Sequence, residues 1–389
     1  MGARAAARLD RLPPYLFAQI EEKIAAKRAA GVDVITLGIG DPDTPTFAPI
    51  IDSLCEHAKR PDTHQYPSNR GREGFRDAVA EYYERRFGVA LDPAGEIIPA
   101  LGAKEAVANI ALAFLDPGDA ALAADPGYPG YVNGPILAGA EPVPLPLVPE
   151  LGFLPDLDAV PADVAARARL MFLNYPNNPT GAVVDDDFFA RVVDFARAND
   201  VIVVHDNAYS EITFDGYVAP SFLATPGAKD VGIEILSLSK SFNMTGWRVG
   251  AVVGNPDLVS IFWRLKTNLD SGMFEAVQEA GMTALRECDE DVARMCALYE
   301  RRRDTLVSAL GTIGIEVAAP RGSIYVWAPV PEGQTSAGFT ETVLEEAGVV
   351  VSPGAAFGAS GEGFFRMSLT TPDDRLNEAA ERISRLVPR

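Results

Sequence analysis

The sequence predicts an α/β protein: a mostly parallel sheet flanked by helices, joined to a smaller α+β second domain. Three observations predict it. Short, nearly continuous apolar runs alternate with longer amphipathic ones through the middle of the chain. Several of those runs end in clusters of polar residues, where ligands sit in open α/β sheets. Beyond about residue 285 the alternation gives way to a long charged helical stretch and scattered strand-like pieces.

The strands are read at Ala120–Ala124, Leu170–Leu173, Val201–Val204, Ile233–Leu236 and Val249–Val253. Their unbroken apolar character suits strands buried on both faces, as in a parallel sheet. Between them, Lys104–Leu115 and Asp186–Asn199 read as helices, the second placing Phe188, Phe189, Val192, Val193 and Ala196 on one face. The proline-rich stretch Pro142–Pro149 reads as an edge or loop segment. Further on come a helix over Cys288–Leu310, strand-like pieces at Ser323–Trp327, Val349–Val351 and Phe364–Leu369, and a helix over Asp374–Leu386. A helix over Leu16–Ala30 is a candidate to join this second lobe. The resulting division is 1–44 as an N-terminal arm with part of the small domain, 45–288 as the large domain, and 289–389 as the small C-terminal domain. The run Arg301-Arg302-Arg303 reads as a solvated helix face.

A chain of 389 residues is long for one core, which fits two lobes. Its formal net charge of −20 disfavours nucleic acid and anionic membranes as partners, so any phosphate must be held by a local positive island. Cys55, Cys288 and Cys296 make no disulfide framework, and the last two are expected in the packing of one helix. His57, His64 and His205 have no ligand spacing with cysteine, so no metal site is expected. No run approaches the roughly 20 apolar residues of a membrane span, and the Ala- and Arg-rich start lacks the apolar stretch of a secretory signal. A cytoplasmic location is the expectation.

The chemistry concentrates in Ser237-Leu-Ser-Lys240-Ser-Phe-Asn-Met-Thr-Gly-Trp-Arg248. A lysine kept near a protein interior is suited to Schiff-base formation with a carbonyl. The hydroxyls and Arg248 are groups a phosphate needs nearby. An aldehyde and a phosphate on one molecule describe pyridoxal phosphate. Other polar clusters follow the strands: Asn174-Tyr-Pro-Asn-Asn178-Pro-Thr-Gly181 and His205-Asp206-Asn207-Ala-Tyr209. Leu101-Gly102-Ala103 opens the helix at Lys104 and presents backbone N–H groups to an anion. Taken singly, each has a plainer reading as a solvated lysine, a turn, a cap or a loop-to-helix junction. Their joint placement at the strand ends of one sheet favours a site.

Together with Gly38-Ile-Gly40-Asp-Pro42, Tyr66-Pro67, Asp125-Pro-Gly-Tyr128-Pro129 and Phe365-Arg366, these motifs resemble the fold-type I, class I/II pyridoxal-phosphate aminotransferases over nearly the whole chain. The resemblance implies that Lys240 forms the Schiff base with the cofactor and then moves the substrate proton. It implies that Asp206 pairs with the pyridine nitrogen and that Asn178 and Tyr209 bond the phenolic oxygen. Tyr128 would stack on the ring, while Ser237, Arg248 and the amides of Ala103 and Lys104 hold the phosphate. Tyr66 would reach the phosphate of a neighbouring subunit, making the active unit a homodimer. Arg366, helped by Asn178 and the Gly40 backbone, would clamp the α-carboxylate of the small-molecule amino-acid or 2-oxo-acid substrates.

Within that family, Tyr15-Leu-Phe17, Gly152-Phe-Leu-Pro-Asp-Leu157, Phe214-Asp-Gly-Tyr217, Asn243-Met-Thr-Gly-Trp-Arg248 and Asn268-Leu-Asp-Ser-Gly272 are similar to the LL-diaminopimelate aminotransferases of lysine biosynthesis. By that resemblance Tyr15, Lys104, Tyr128 and Asn268 offered to a partner's site line the distal end of the substrate, with 2-oxoglutarate as acceptor. Two departures stand. The loop Tyr66-Pro-Ser-Asn69-Arg70-Gly71 lacks the carboxylate that faces the distal ammonium in plant-type members, and Ala103 lacks a hydroxyl many relatives carry. Arg70 is either a solvent-facing loop arginine or a contact for a substrate carboxylate, as of aspartate, glutamate or a succinylated diamine. The alternatives on the same scaffold are a different amino-donor specificity (aspartate, alanine, methionine or aromatic amino acids) and a carbon–sulfur lyase. A ligand-sensing transcription regulator needs a DNA-binding module, which an acidic chain starting almost at once with the Tyr15 motif is not expected to carry.

Overall fold

Residues 4–13 and 16–386 are described by a computed structural model. Its strands in chain order are β1 (Ile35–Thr36), β2 (Ile97–Ala100), β3 (Ala120–Asp125), β4 (Glu141–Pro146), β5 (Ala168–Leu173), β6 (Ile202–Asn207), β7 (Gly232–Ser237), β8 (Gly250–Gly254), β9 (Tyr325–Pro329), β10 (Val349–Val350), β11 (Ser352–Pro353) and β12 (Phe364–Ser368).

A seven-stranded sheet in the order β2-β8-β7-β6-β5-β3-β4 forms the large lobe. The pairs from β7 to β4 are parallel, and β8 runs antiparallel to β7 and β2. The apolar runs are continuous because both faces are covered. Met171, Leu173 and Val203 join one buried cluster, while Leu170, Phe172 and Val204 join the cluster on the other face. The proline-rich stretch is the edge strand β4, paired to β3. Glu141 and Leu147, at either end of β4, turn their N–H groups inward to Asp119 and Asp125, whereas Pro142, Pro144 and Pro146 have none to offer a further strand.

The helix Asp186–Asn199 buries the expected Phe188, Phe189, Val192, Val193 and Ala196. Its start is set by Asp185, whose carboxylate accepts from the Phe188 N–H at 3.0 Å. The helix Ala103–Phe114 starts from Gly102, whose φ of 81° suits glycine and whose missing Cβ leaves room for the Arg248 guanidinium.

The second lobe holds the antiparallel sheet β11-β12-β9 and the parallel pair β1-β10. These pack with the helices Asp289–Thr312 and Asp373–Ile383 around a core including Leu306, Val326, Phe365 and Ile383. The helix Leu16–Ala29 joins this lobe. Ile24 clusters with Val34, Leu344 and Val350, and Lys27 pairs with Glu345. Among the described residues no helix is long and apolar enough to cross a membrane.

Two sequence expectations fail in this lobe. Arg302 and Arg303 are not a solvated face: they are 5% and 3% exposed. The helix turns them to the same side as Met295, Tyr299 and Leu306, where acids from distant segments meet them. Arg302 bonds Asp43 at 2.7 and 3.0 Å and Asp373 at 2.6 Å; Arg303 bonds Asp215 at 2.5 and 3.1 Å. Only Arg301 of the run is exposed. Cys288 and Cys296 do not share a helix either, since Cys288 is the junction between the helices Glu275–Glu287 and Asp289–Thr312.

Candidate active site

A cleft of about 350 Å³ opens at the carboxyl ends of β5, β6 and β7, roofed by the segment after β1 and by Tyr325, Phe357 and Arg366 of the second lobe. Its geometry follows from the strand ends. β7 passes at Ser237 into the helical turn Leu238–Ser241, which delivers Lys240. The Lys240 ammonium donates to the Gly40 carbonyl at 2.6 Å. Burial holds its pKa below the ordinary lysine range; Tyr325 and Asp41 oppose this, and Arg366 and Arg248 add to it. A lysine so placed spends more of its time as the free amine that attacks a carbonyl.

Asp206 ends β6 on the cleft side and is 5% exposed. Its Oδ2 accepts from the Tyr131 hydroxyl at 2.9 Å, while Oδ1 is buried with no hydrogen bond from the described protein. Burial pushes its pKa up to about 6, against the pull of Tyr131 and His205. A buried carboxylate oxygen in this state is poised to take a donor, and a cationic N–H is the donor that offsets its burial best. Tyr131 is itself fixed by stacking on Phe172, with centroids 5.4 Å apart. Asn174, at the end of β5, donates to the Asp206 carbonyl at 2.7 Å and accepts from the Asn178 N–H at 2.8 Å. It thereby ties two strand ends together.

Arg366, on β12, is 2% exposed and has no carboxylate partner among the described residues. Its Nη1 donates to Asn178 Oδ1 at 2.9 Å and its Nη2 to the Gly38 carbonyl at 2.8 Å, while Nε is buried and unbonded. The guanidinium lies over the rings of Tyr325 and Phe357, 4.1 and 4.4 Å from their centroids. A buried cation set this way is a receptor for a carboxylate. Glycine is required at 40, because a Cβ there would strike the Tyr325 hydroxyl.

At the other end of the cleft, Ala103 and Lys104 of the helix start meet Ser237, Ser239, Thr245 and Arg248. Arg248 is steadied by its bond to the Thr245 carbonyl at 2.8 Å. Hydroxyls, helix-start amides and a guanidinium around one point form an anion site.

The cleft therefore brings together Gly40, Ala103, Lys104, Tyr128, Asn178, Asp206, Tyr209, Ser237, Lys240, Arg248 and Arg366. Tyr66 and Asn268, both expected to reach another subunit's site, lie outside the cleft of their own chain. Tyr66 is 89% exposed, and the Asn268 amide donates to the Arg264 carbonyl at 2.8 Å. Tyr15 lies outside the described residues. Arg70 lies half-exposed in its loop: its guanidinium is 4.2 Å from the Trp263 ring centroid and donates to the Ala94 carbonyl at 3.0 Å. Sequence reasoning gave no role to Tyr131, Asn174, Tyr325 or Phe357. Asn174 stood in a quoted strand-end cluster and Tyr131 lies three residues beyond Tyr128, but Tyr325 and Phe357 carry no local signal.

A family model for aminotransferases of class I and II matches residues 32–383. The chain belongs to this family. Among curated relatives, the LL-diaminopimelate aminotransferase of Moorella thermoacetica is 54% identical over 98% of both chains. That of Desulforudis audaxviator is 54% identical over 97% of this chain and 96% of its own. Among solved structures, substrate-bound BacF from Bacillus subtilis superposes with a TM-score of 0.96 at 35% identity, covering 100% of this chain and 99% of that one.

The aminotransferase uses pyridoxal 5'-phosphate. When bound, that cofactor supplies an aldehyde for amine exchange and a protonated ring that draws electrons from the substrate Cα. The cleft residues fit it. The unbonded Asp206 Oδ1 suits a ring N–H, the Lys240 amine suits the aldehyde, and the anion site at Ala103, Ser237 and Arg248 suits the phosphate.

Proposed function

We propose that this aminotransferase takes LL-diaminopimelate as amino donor and 2-oxoglutarate as acceptor, in a ping-pong exchange. The observation that carries the substrate is the 54% identity over 98% of both chains with a relative named for that activity.

In this reading each cleft residue has a task. Arg366 and Asn178 hold the α-carboxylate, orienting the Cα–H bond toward Lys240. Lys240 would hold the cofactor's carbonyl carbon until a substrate amine takes its place there, and its amine, so released, would take the Cα proton and return it as general base and acid. Asp206 keeps the ring nitrogen protonated. Asn178 and Tyr209 bond the phenolic oxygen, and Tyr128 stacks on the ring. Ser237, Arg248, Ala103 and Lys104 hold the phosphate. Tyr66 serves the phosphate of a partner, while Tyr15, Lys104, Tyr128 and the Asn268 of a partner border the distal end of the donor, so the working form is a homodimer. Its place is the cytoplasm, in lysine biosynthesis. The large domain spans 45–288, with 1–44 and 289–389 forming the arm and small domain.

The test is a half-reaction screen: purified holoenzyme with LL- and meso-diaminopimelate, N-succinyl-diaminopimelate, aspartate, glutamate, alanine, methionine and aromatic amino acids, followed by loss of the cofactor's visible band. LL-diaminopimelate is expected to react fastest by at least about tenfold, the discrimination a few polar contacts provide. A faster reaction with the succinylated donor would overturn the substrate, and pyruvate with ammonia from cystathionine would point to a lyase instead.

A further inference from the structure

Behind the cleft, on the far face of the same sheet, lies a second buried acid. Glu234 of β7 is 0% exposed. Its Oε1 accepts from the Tyr83 hydroxyl at 2.8 Å and the Asn207 amide at 2.6 Å. Its Oε2 accepts from His205 Nδ1 and the Phe222 N–H, both at 3.0 Å, and from the Ser221 hydroxyl at 3.0 Å. A buried carboxylate is a costly way to fill a core, and apolar residues of similar volume often do as well. This one bonds the two residues that flank Asp206 in sequence. His205 and Asn207 point to Glu234, and Asp206 between them points to the cleft, because side chains alternate along a strand.

The helix Glu73–Phe87 supplies the clamp from outside. Tyr83 reaches Glu234, and one turn along, Arg86 donates to Glu211 at 3.0 Å and to the Ser210 carbonyl at 3.2 Å, just past Tyr209. Tyr82 of the same helix also bonds Glu211. From 205 to 211 the chain is thus held on its far side at both ends, while Asp206 and Tyr209 face the cleft.

We propose that Glu234 is a positioning residue for the reaction: through His205 and Asn207 it fixes the β6 backbone on either side of Asp206, and with it the direction in which the Asp206 carboxylate meets the cofactor ring. The assignment rests on the aminotransferase reading of the cleft. The Asp206 carboxylate has one hydrogen bond from the described residues, that of Tyr131, so its aim depends on how firmly its peptide is held.

The test uses the holoenzyme with Glu234→Gln and, separately, Tyr83→Phe. The glutamine keeps the volume but leaves one accepting oxygen where the carboxylate had two, so donors such as the Phe222 N–H and the Asn207 amide compete for it and the hub is weakened. We expect Glu234→Gln to lower kcat of the amino-acid half-reaction about 10- to 100-fold, as a misplacement of about 1 Å does. KM for the donor should stay within about threefold, since the α-carboxylate site is untouched. The visible circular dichroism of the bound cofactor should change, and its dissociation constant from the apoprotein should rise. Tyr83→Phe removes one bond to the same carboxylate, so it should shift the dichroic band the same way with a smaller fall in kcat. A folded, cofactor-loaded Glu234→Gln with the wild-type kcat and dichroic band, altered only in melting temperature, would overturn the proposal. If that variant does not fold, the same two readouts on Tyr83→Phe decide. A wild-type enzyme without any amino-acid half-reaction would instead overturn the aminotransferase reading, and the dichroic band and cofactor affinity would still decide Glu234.

Discussion

The two faces of the sheet at β6 and β7 treat buried charge in opposite ways. On the cleft face Asp206 has one protein donor and one unbonded oxygen, and burial lifts its pKa to about 6. On the far face burial also pushes Glu234 upward, but His205, Tyr83 and Asn207 outweigh it and hold the carboxyl below its ordinary range. The arginines repeat the contrast. Arg366 faces the cleft with aromatic rings and neutral acceptors only, whereas Arg302 is closed off by Asp43, Asp373 and the Leu369 carbonyl. A buried charge that the fold completes by itself is structural. A buried charge left incomplete is addressed to a ligand.

Four substitutions test that contrast. The largest effect belongs to Lys240→Ala. It should lower turnover by at least about 10⁴-fold, the upper range for positioned proton transfer. The cofactor's visible band should vanish while the far-ultraviolet dichroism stays native. Retained turnover would remove Lys240 from the centre of the site.

Asp206→Asn should lower kcat about 10²- to 10³-fold, the usual loss when a pre-set electrostatic partner of the reacting group goes. In the apoprotein it should do the reverse and stabilise. The sign follows from the proton count. With a folded pKa of about 6 against an ordinary 3.8, the native state binds more protons than the unfolded state between those values. Apoprotein stability therefore falls as pH rises from about 4 to about 6, by up to about 3 kcal/mol, and stays lowered above. Urea unfolding of apo wild type and apo Asp206→Asn at pH 4.5 and 7 should show the variant gaining on the wild type at the higher pH. Equal stabilities at both values would mean that Asp206 is not an unsatisfied charge.

Arg366→Ala should lower kcat/KM for every α-amino acid alike, by about 10²-fold, because the group it binds is common to all of them. A loss confined to one donor would move Arg366 to the distal end of the substrate. Arg302→Ala is the counterpart on the completed side. Thermal or urea unfolding should report a loss of about 2–4 kcal/mol, below the full range for a buried pair because Asp373 keeps solvent contact. The folded fraction should retain the wild-type order of donors, and a changed order would place Arg302 in substrate selection.

Much of the molecule was legible before folding. Continuous apolar runs imply strands covered on both sides, and β5, β6 and β7 are so covered because helices lie on each face. The residues proposed to hold the phosphate and the aldehyde could be picked out because one turn after β7 carries Ser237 and Lys240, a loop beyond it carries Arg248, and the start of a helix carries Ala103 and Lys104, and the fold brings them into one cleft. Such local clusters keep their chemistry whatever the rest of the chain does. Arg366 and Asp206 were legible through motif resemblance, each with its neighbours.

What sequence could not tell was which charges the fold would complete. Arg301, Arg302 and Arg303 are alike in the sequence, and only the helix phase and acids from distant segments separate the exposed one from the two that are buried and paired. Glu234 lies in an apolar run with nothing nearby to mark it, and its partners come from elsewhere: Tyr83 from the helix Glu73–Phe87, His205 and Asn207 from β6, and Ser221 from the loop after it. Tyr325 and Phe357 reach Arg366 only when the second lobe folds and brings β9 and the turn after β11 beside β12. The sequence by itself determined the central strands, the Ser237–Arg248 segment that carries Lys240 and the helix start at Ala103, because each depends on residues close together along the chain. Tertiary structure alone decided which buried charges are satisfied and which are left open for a ligand, because a hydrogen-bond partner is a matter of distance in space.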